Sequence, residues 1–377
     1  MPNKKTLQIR TAPHLASGAS VDKIMRHVTL ALLPVVIFAI YLFGLAALAT
    51  IIVGTLSCLL TEHLACKLRG QTSTLNDRSV IITGLPYSLT LPPGLPLWMV
   101  CCGGIIAVLL GKLLFGGLGH NLFNPALGGR AFLQAAFPSA MTTWHPAMSP
   151  ERFSTLPSST LALPFMSPSY DVVSSATPLA TMKFEHVSDG GNLFLGLHGT
   201  SPALGFSAPG HDVVSAATPA AVMSWEQMFG YNSNMFVGMS AGSIGDTSSL
   251  LILLGGLYLI ARRMMRWQIP AGIFAAVFIF SAIMNSIAPE TYPPALFMLF
   301  SGGLMLGAMF MASDPVASPV TAKGAFVYGL FIGTLVVIIR VWGGMPEGVM
   351  YAILFGNAVS PYIDRWFQPR PYGYGNS

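Results

Sequence analysis

Ten apolar runs, each close to the length of a bilayer-crossing helix, dominate the sequence. They cover residues 27–45, 46–66, 79–93, 96–115, 122–140, 247–262, 269–287, 293–312, 324–342 and 348–364. A helix needs about 20 mostly apolar residues to cross a bilayer. Lipid offers the backbone no hydrogen bonds, so a crossing segment must satisfy its own, as a helix does. Charged residues make up 9% of the chain, against about 25% in an average soluble domain. The chain therefore reads as an all-α polytopic membrane protein with about ten transmembrane helices. The third run carries Pro86, Pro92 and Pro93, which suggests a broken or re-entrant helix packed inside protein. No cleavable signal peptide is expected, because the run after Lys23 and Arg26 passes straight into a second one.

Basic residues orient the runs. With the N-terminus in the cytoplasm, all but four of the 19 Lys and Arg residues fall on the cytoplasmic side; the four are Arg130, Arg152, Lys183 and Arg340. Loop Lys/Arg bias sets orientation, so both termini are expected in the cytoplasm. The same rule accounts for Arg262, Arg263 and Arg266 without a nucleic-acid partner. The expected layout is a cytoplasmic segment 1–26, a five-span half 27–140, an extracytoplasmic loop 141–246, a second five-span half 247–364 and a cytoplasmic tail 365–377. Matching phrases, "LFNPALGG" (122–129) and "LFGNAVSP" (354–361), suggest related halves, as in many transporters. Cys58, Cys66, Cys101 and Cys102 lie in or beside apolar runs, and the eight His are scattered. Neither set has metal-ligand spacing, and the cysteines read as packing residues.

The loop repeats itself. "DVVSSATPLATM" begins at Asp171 and "DVVSAATPAAVM" at Asp212, a spacing of 41 residues. Each copy places an acid six residues before a threonine, Asp171 before Thr177 and Asp212 before Thr218. Small residues precede the hydroxyl: Ser174, Ser175 and Ala176 in one, Ser215, Ala216 and Ala217 in the other. The following proline disfavours helix at the threonine and holds it extended. Such a threonine suits covalent modification or a phosphate contact. A Ser/Thr-rich turn is the alternative.

The phrase Asp-x-x-Ser-x-Ala-Thr-Pro-Leu resembles the flavinylation motif of the RnfD/NqrB family of membrane subunits. The likeness continues through "LNDRSVIITGLPYSLTLPP" (75–93), "GGLGHNLFNPALGG" (116–129), "GSIGDTS" (242–248), "RWQIP" (266–270), "MASDPVASP" (311–319) and "GGMPEGVMYAILFGNAVSPYID" (343–364). The short N-terminus and the ending "QPRPYGYG" resemble the RnfD branch. The resemblance implies a subunit of an Rnf-type complex coupling ferredoxin and NAD redox chemistry to Na⁺ or H⁺ movement. It also implies FMN joined by a phosphoester to a threonine, placed there by a flavin transferase, and a second, non-covalent flavin, riboflavin. Thr177 is the first choice, since Pro178, Leu179 and Lys183 follow it as in the family; Thr218 is the second, being nearer "GSIGDTS". Asp171 and Asp212 would be recognition residues for the transferase, beside Ser174 and Ser215. A flavin-free channel or transporter of two five-helix repeats is the rival reading.

Some polar residues lie in or beside the runs. Arg130 is a candidate partner for a flavin phosphate or a helix carbonyl, since buried ionisable groups are often functional. Glu62 is expected to pair with His63 or Lys67, Asp314 to cap a helix, and Asn124 and Asn357 to hold broken-helix backbone. Asp77, Arg78, Glu347 and Asp364 read as interfacial.

Overall fold

The computed structural model describes residues 21–70, 79–116, 119–145, 147–154, 156–164, 242–288, 292–343 and 347–368. These contain helices α1 (Val21–Phe43), α2 (Leu45–Leu68), α3 (Ser79–Leu89), α4 (Leu97–Val108), α5 (Pro125–Ala136), α6 (Pro138–Thr142), α7 (Ser249–Ala261), α8 (Gln268–Ile287), α9 (Ala295–Phe300), α10 (Leu304–Leu306), α11 (Ala322–Trp342) and α12 (Val349–Trp366). A short 3₁₀ turn covers Ser158–Leu161. Among the described residues, four helices are long and apolar enough to cross a membrane: α1 from Asp22, α2, α8 and α11. Their outward faces carry Ile37, Leu56, Leu60, Ile279 and Ile338, all exposed, as lipid contact requires.

Local chemistry sets the helix starts. The Asn124 side chain accepts from Ala126 N and Leu127 N, with Pro125 in the first turn of α5. Ser248 and Thr321 accept from the third residue onward at the starts of α7 and α11.

The third apolar run forms only α3, whose 11 residues rise about 16 Å, roughly half of the hydrocarbon core. Beyond it Leu89, Leu91 and Leu95 stay fully buried, so this bend lies inside protein. The eighth run is also broken: α9 stops at Ser301, Gly302 takes a positive φ of 60°, and α10 begins at Leu304. Two π-turns were not foreshadowed, Leu109–Leu113 after α4 and Gly307–Met311 after α10. In each, the backbone N–H five residues on closes the turn: Leu114 to Leu109 O (2.9 Å) and Ala312 to Gly307 O (2.7 Å).

Helix packing is alike on the two sides of the long loop. α2 packs on α3 and α4, and α4 on α5; α8 packs on α9 and α11, and α11 on α12. The cores do not divide where the sequence does. Cys58, Tyr87, Val100 and Leu133 belong to a smaller cluster, while Leu32, Val35 and Ala39 of α1 join Ile252, Ile273, Val336 and Ile353 in the larger one. α1 therefore packs with the second half, against α7.

Both flanks of the long loop attach at one end of the bundle. Leu45 N donates to Arg152 O (2.9 Å) at the α1–α2 turn, and Ser159 Oγ donates to Gly94 O (3.0 Å) at the α3–α4 turn. Ile244 N donates to Leu91 O (3.0 Å) and Gly245 N to Leu89 O (2.6 Å). At the opposite end Arg69 donates to Leu113 O (3.0 Å), Arg266 to Pro319 O, and Val320 N to Asp364 Oδ1 (2.8 Å). Asp364 is thus part of an interhelix contact.

Candidate functional site

Both copies of the repeated phrase, with Asp171, Ser174, Thr177, Asp212, Ser215 and Thr218, lie outside the described residues. Arg130 is described, and it leads to a cluster of buried charge.

Arg130 sits one and a half turns into α5 and donates to Glu347 Oε2, from the segment before α12. The partners stand 217 positions apart. Glu347, expected at an interface with solvent, has a side chain only 15% exposed. Nearby, the Arg340 guanidinium of α11 donates to Met298 O (2.6 Å) and Ser301 O (2.7 Å). It holds the carbonyl end of α9, where backbone oxygens otherwise lack partners.

Asp246 completes the cluster. It is 7% exposed, accepts at Oδ2 from the Ser243 hydroxyl, and has no hydrogen-bond partner at Oδ1 among the described residues. Glycine lets it approach the break in the eighth run. A Cβ on Gly303 would lie 3.2 Å from both Asp246 oxygens, and one on Gly302 would lie 3.3 Å from the Arg340 guanidinium. Burial pushes the Asp246 carboxyl up to about 6, with Glu347 adding to it and Arg130, Ser243 and Arg340 opposing. A cavity of about 20 Å³ touches Thr90, Arg130, Asp246, Gly303 and Glu347. That volume holds a water or two. It does not fit a flavin, and Arg130 is already engaged by Glu347.

At the opposite end of α2, Lys112 Nζ reaches both Glu62 oxygens (2.7 Å each) and Ser79 Oγ (2.8 Å). The expected His63 or Lys67 partner is thus replaced by Lys112. That lysine, counted in the sequence among the cytoplasmic-side cations at the end of the fourth run, is 4% exposed, and Glu62 is 1% exposed. The π-turn containing Lys112 turns it inward, and no local pattern in the sequence announced that turn.

The two phrase-matched asparagines meet. With the Asn357 amide oriented to satisfy both its ends, its oxygen accepts from Asn124 N (3.1 Å). Its nitrogen then donates to Tyr328 Oη (2.6 Å) and Ile353 O (3.3 Å). Asn124 also donates to Met311 O (3.1 Å), the last carbonyl of the second π-turn. Asn124 thereby holds irregular backbone as its sequence context suggested. Asp314 accepts from Val316 N (3.1 Å) and from Asn121 (3.4 Å), closing its own turn instead of capping a helix; burial raises its carboxyl above the ordinary range.

Known proteins match this chain along its length. The model of the NQR2, RnfD, RnfE family covers residues 8–373. The D subunit of a proton-translocating ferredoxin:NAD(+) oxidoreductase complex of Clostridium ljungdahlii is 38% identical over 370 residues, spanning 98% of this chain and 97% of that relative. The D subunit of an ion-translocating oxidoreductase complex of Stutzerimonas stutzeri is 40% identical, spanning 94% of this chain and 93% of its own length. The D subunit of a Na(+)-translocating ferredoxin:NAD(+) oxidoreductase complex of Acetobacterium woodii is 35% identical, spanning 98% and 96%. With likeness this even from end to end, the chain belongs to the NQR2, RnfD, RnfE family.

Proposed function

We propose that the chain is the flavin-carrying membrane subunit of an Rnf-type complex, in which electron transfer between ferredoxin and NAD drives Na⁺ or H⁺ across a bacterial inner membrane. The observation that carries the reading is likeness over nearly the whole chain to the D subunits of complexes so named. The duplicated Asp-x-x-Ser-x-Ala-Thr-Pro phrase adds the cofactor. The other subunits are its partners, lipid surrounds its outer helices, and a flavin transferase matures it. The ten-crossing layout, with N- and C-termini in the cytoplasm and the 141–246 loop outside, belongs to the same proposal.

FMN, esterified through its phosphate to Thr177 or Thr218, supplies the electron-carrying chemistry. The threonine hydroxyl anchors it, and the bundle fixes where the loop begins and ends: Arg152 and Ser159 on one flank, Ile244 and Gly245 on the other. A covalent tether leaves the fold no need for tight FMN affinity. The cavity beside Arg130 has room for water only, so Arg130 is left out of the flavin contacts. The non-covalent riboflavin that the resemblance implies needs another seat.

Co-expression with a flavin transferase, followed by ultraviolet imaging of a denaturing gel, tests the reading. A fluorescent band that Thr177→Ala or Thr218→Ala removes is expected. Mass spectrometry of the peptides Tyr170–Lys183 and His211–Trp225 would show which hydroxyl carries FMN. A dark band with both peptides unmodified overturns the proposal and leaves the flavin-free transporter.

A further inference from the structure

We propose that Asp246 is a proton-binding site served by internal water, built where the broken eighth run meets the segment leading into α7.

Three observations on geometry converge. One oxygen of a carboxylate that is 7% exposed has no partner among the described residues, while the other accepts from Ser243. An unsatisfied buried oxygen is expensive, and native proteins relieve it with water, an ion or a proton. Beside it lies a cavity of about 20 Å³, also touched by Thr90, Arg130 and Glu347. Its lining is mostly apolar, but Thr90, Arg130, Asp246 and Glu347 offer polar groups on it, and it is large enough for a water or two. Further buried atoms in the same neighbourhood lack partners among the described residues: Arg130 Nε, Thr247 Oγ1 and Ser301 Oγ. Such clustering points to solvent inside the cluster, not to a packing fault at one atom.

Charge decides between a proton and a metal cation as the ligand. The groups facing Asp246 are Glu347 before α12, Arg130 of α5 and Arg340 of α11. Glu347 is matched by Arg130, and Arg340 is held on the carbonyls of Met298 and Ser301. A metal cation would sit against two fixed guanidinium groups in a medium that screens poorly, where unit charges a few Å apart repel strongly. A proton needs no such room. It adds to Oδ1, the oxygen without a partner, and arrives through the cavity water. Oδ2 keeps its bond from Ser243, and the new O–H donates to the water. The carboxyl becomes neutral and no other bond changes.

Place gives the site its interest. It lies at the end of the bundle that holds both flanks of the 165–241 stretch, against backbone that Gly302 and Gly303 have opened. A proton held there stands between the membrane interior and that face. None of these residues belongs to the repeated phrase, so loss of the flavin reading leaves this site standing, and the reverse is equally true.

Infrared difference spectroscopy of the purified full chain across a pH series tests it. In the unsubstituted protein the carbonyl stretch of a protonated carboxyl should appear as pH falls through about 6, and should shift in heavy water because the proton exchanges. Asp246→Asn should delete that band. Glu347→Gln should keep it but move its midpoint to lower pH, because a neighbouring negative charge is gone; a merely structural Asp246 would show no such movement. Replacing choline with sodium at constant ionic strength should leave the midpoint where it is. A band titrating near pH 6 that Asp246→Asn leaves at full intensity, or the lack of any titrating band, overturns the proposal. So does a midpoint that sodium displaces, which would make the site a metal-cation site. If Asp246→Asn does not fold, the Glu347→Gln midpoint decides alone.

Discussion

Asp246 and Lys112 show two ways in which one side chain tolerates burial. Lys112 is fully compensated, by two Glu62 oxygens and Ser79. Removing one member of a buried ion pair typically costs about 3–5 kcal/mol, whereas replacing both with apolar groups is often neutral. Lys112→Met should therefore lower the unfolding free energy in detergent by that amount, and Lys112→Met with Glu62→Leu should regain most of it. A double variant no better than the single would disprove the pairing. Asp246 is only partly compensated, and it leaves a mark on pH dependence. Its folded value, about 6, lies above the ordinary 3.8, so the native state holds this proton more tightly than the unfolded chain does. Its contribution is intact below pH 3.8, drains away between there and about 6, and is gone above. Stability measured for Asp246→Asn minus that of the parent should thus rise across this window, by up to an amount of order 3 kcal/mol, and then level off. A flat difference would mean that Asp246 ionises normally. Neither pairing was legible in the sequence. Glu62 and Lys112 are 50 positions apart and Arg130 and Glu347 are 217 apart, so each pair exists only because of which helices touch.

Helices α8 and α11 make the most extensive contact among the described helices, and their sequences state how. Gly329 and Gly333 stand four apart on α11, facing Gly272 and Ala276 on α8. A Cβ at Gly272 would come within 2.6 Å of Phe326 O, and one at Gly333 within 2.6 Å of Ile273 O. Small residues spaced by four let helix backbones approach in lipid, where packing replaces the hydrophobic drive. Gly329→Leu should push the pair apart and lose about 1–3 kcal/mol or more, read as earlier unfolding in a detergent-denaturant titration. Gly128→Ala, where an added Cβ would meet nothing within 4 Å, should change little. Equal tolerance at both positions would refute tight packing here. The apolar run lengths anticipated α1, α2, α8 and α11, because each is continuous enough to satisfy its own backbone. The π-turns at Leu109–Leu113 and Gly307–Met311 were not anticipated. One extra residue in a turn changes no composition and no period that a reader of sequence can measure.

The molecule as a whole is organised by its two ends. Glu151 lies where the loop flank meets the α1–α2 turn, and Lys67 near the opposite end of α2; both are exposed. In a variant lacking Cys58, Cys66, Cys101 and Cys102, a membrane-impermeant thiol reagent added to intact spheroplasts should label Glu151→Cys and not Lys67→Cys. The reverse pattern would invert the proposed orientation and put the repeated phrase in the cytoplasm. What the sequence determined by itself was whatever lipid and local chemistry enforce: helices from unbroken apolar runs, a third run cut short ahead of Pro92 and Pro93 though not at Pro86, which α3 contains, and an asparagine at each matching phrase. The tertiary structure alone decided that those asparagines touch across the halves, that α1 packs with the second half, and that four charges gather at Gly302–Gly303. The physical reason is range. Helix formation in lipid is settled within a few residues, whereas a buried charge is satisfied by whichever distant segment the packed bundle brings beside it.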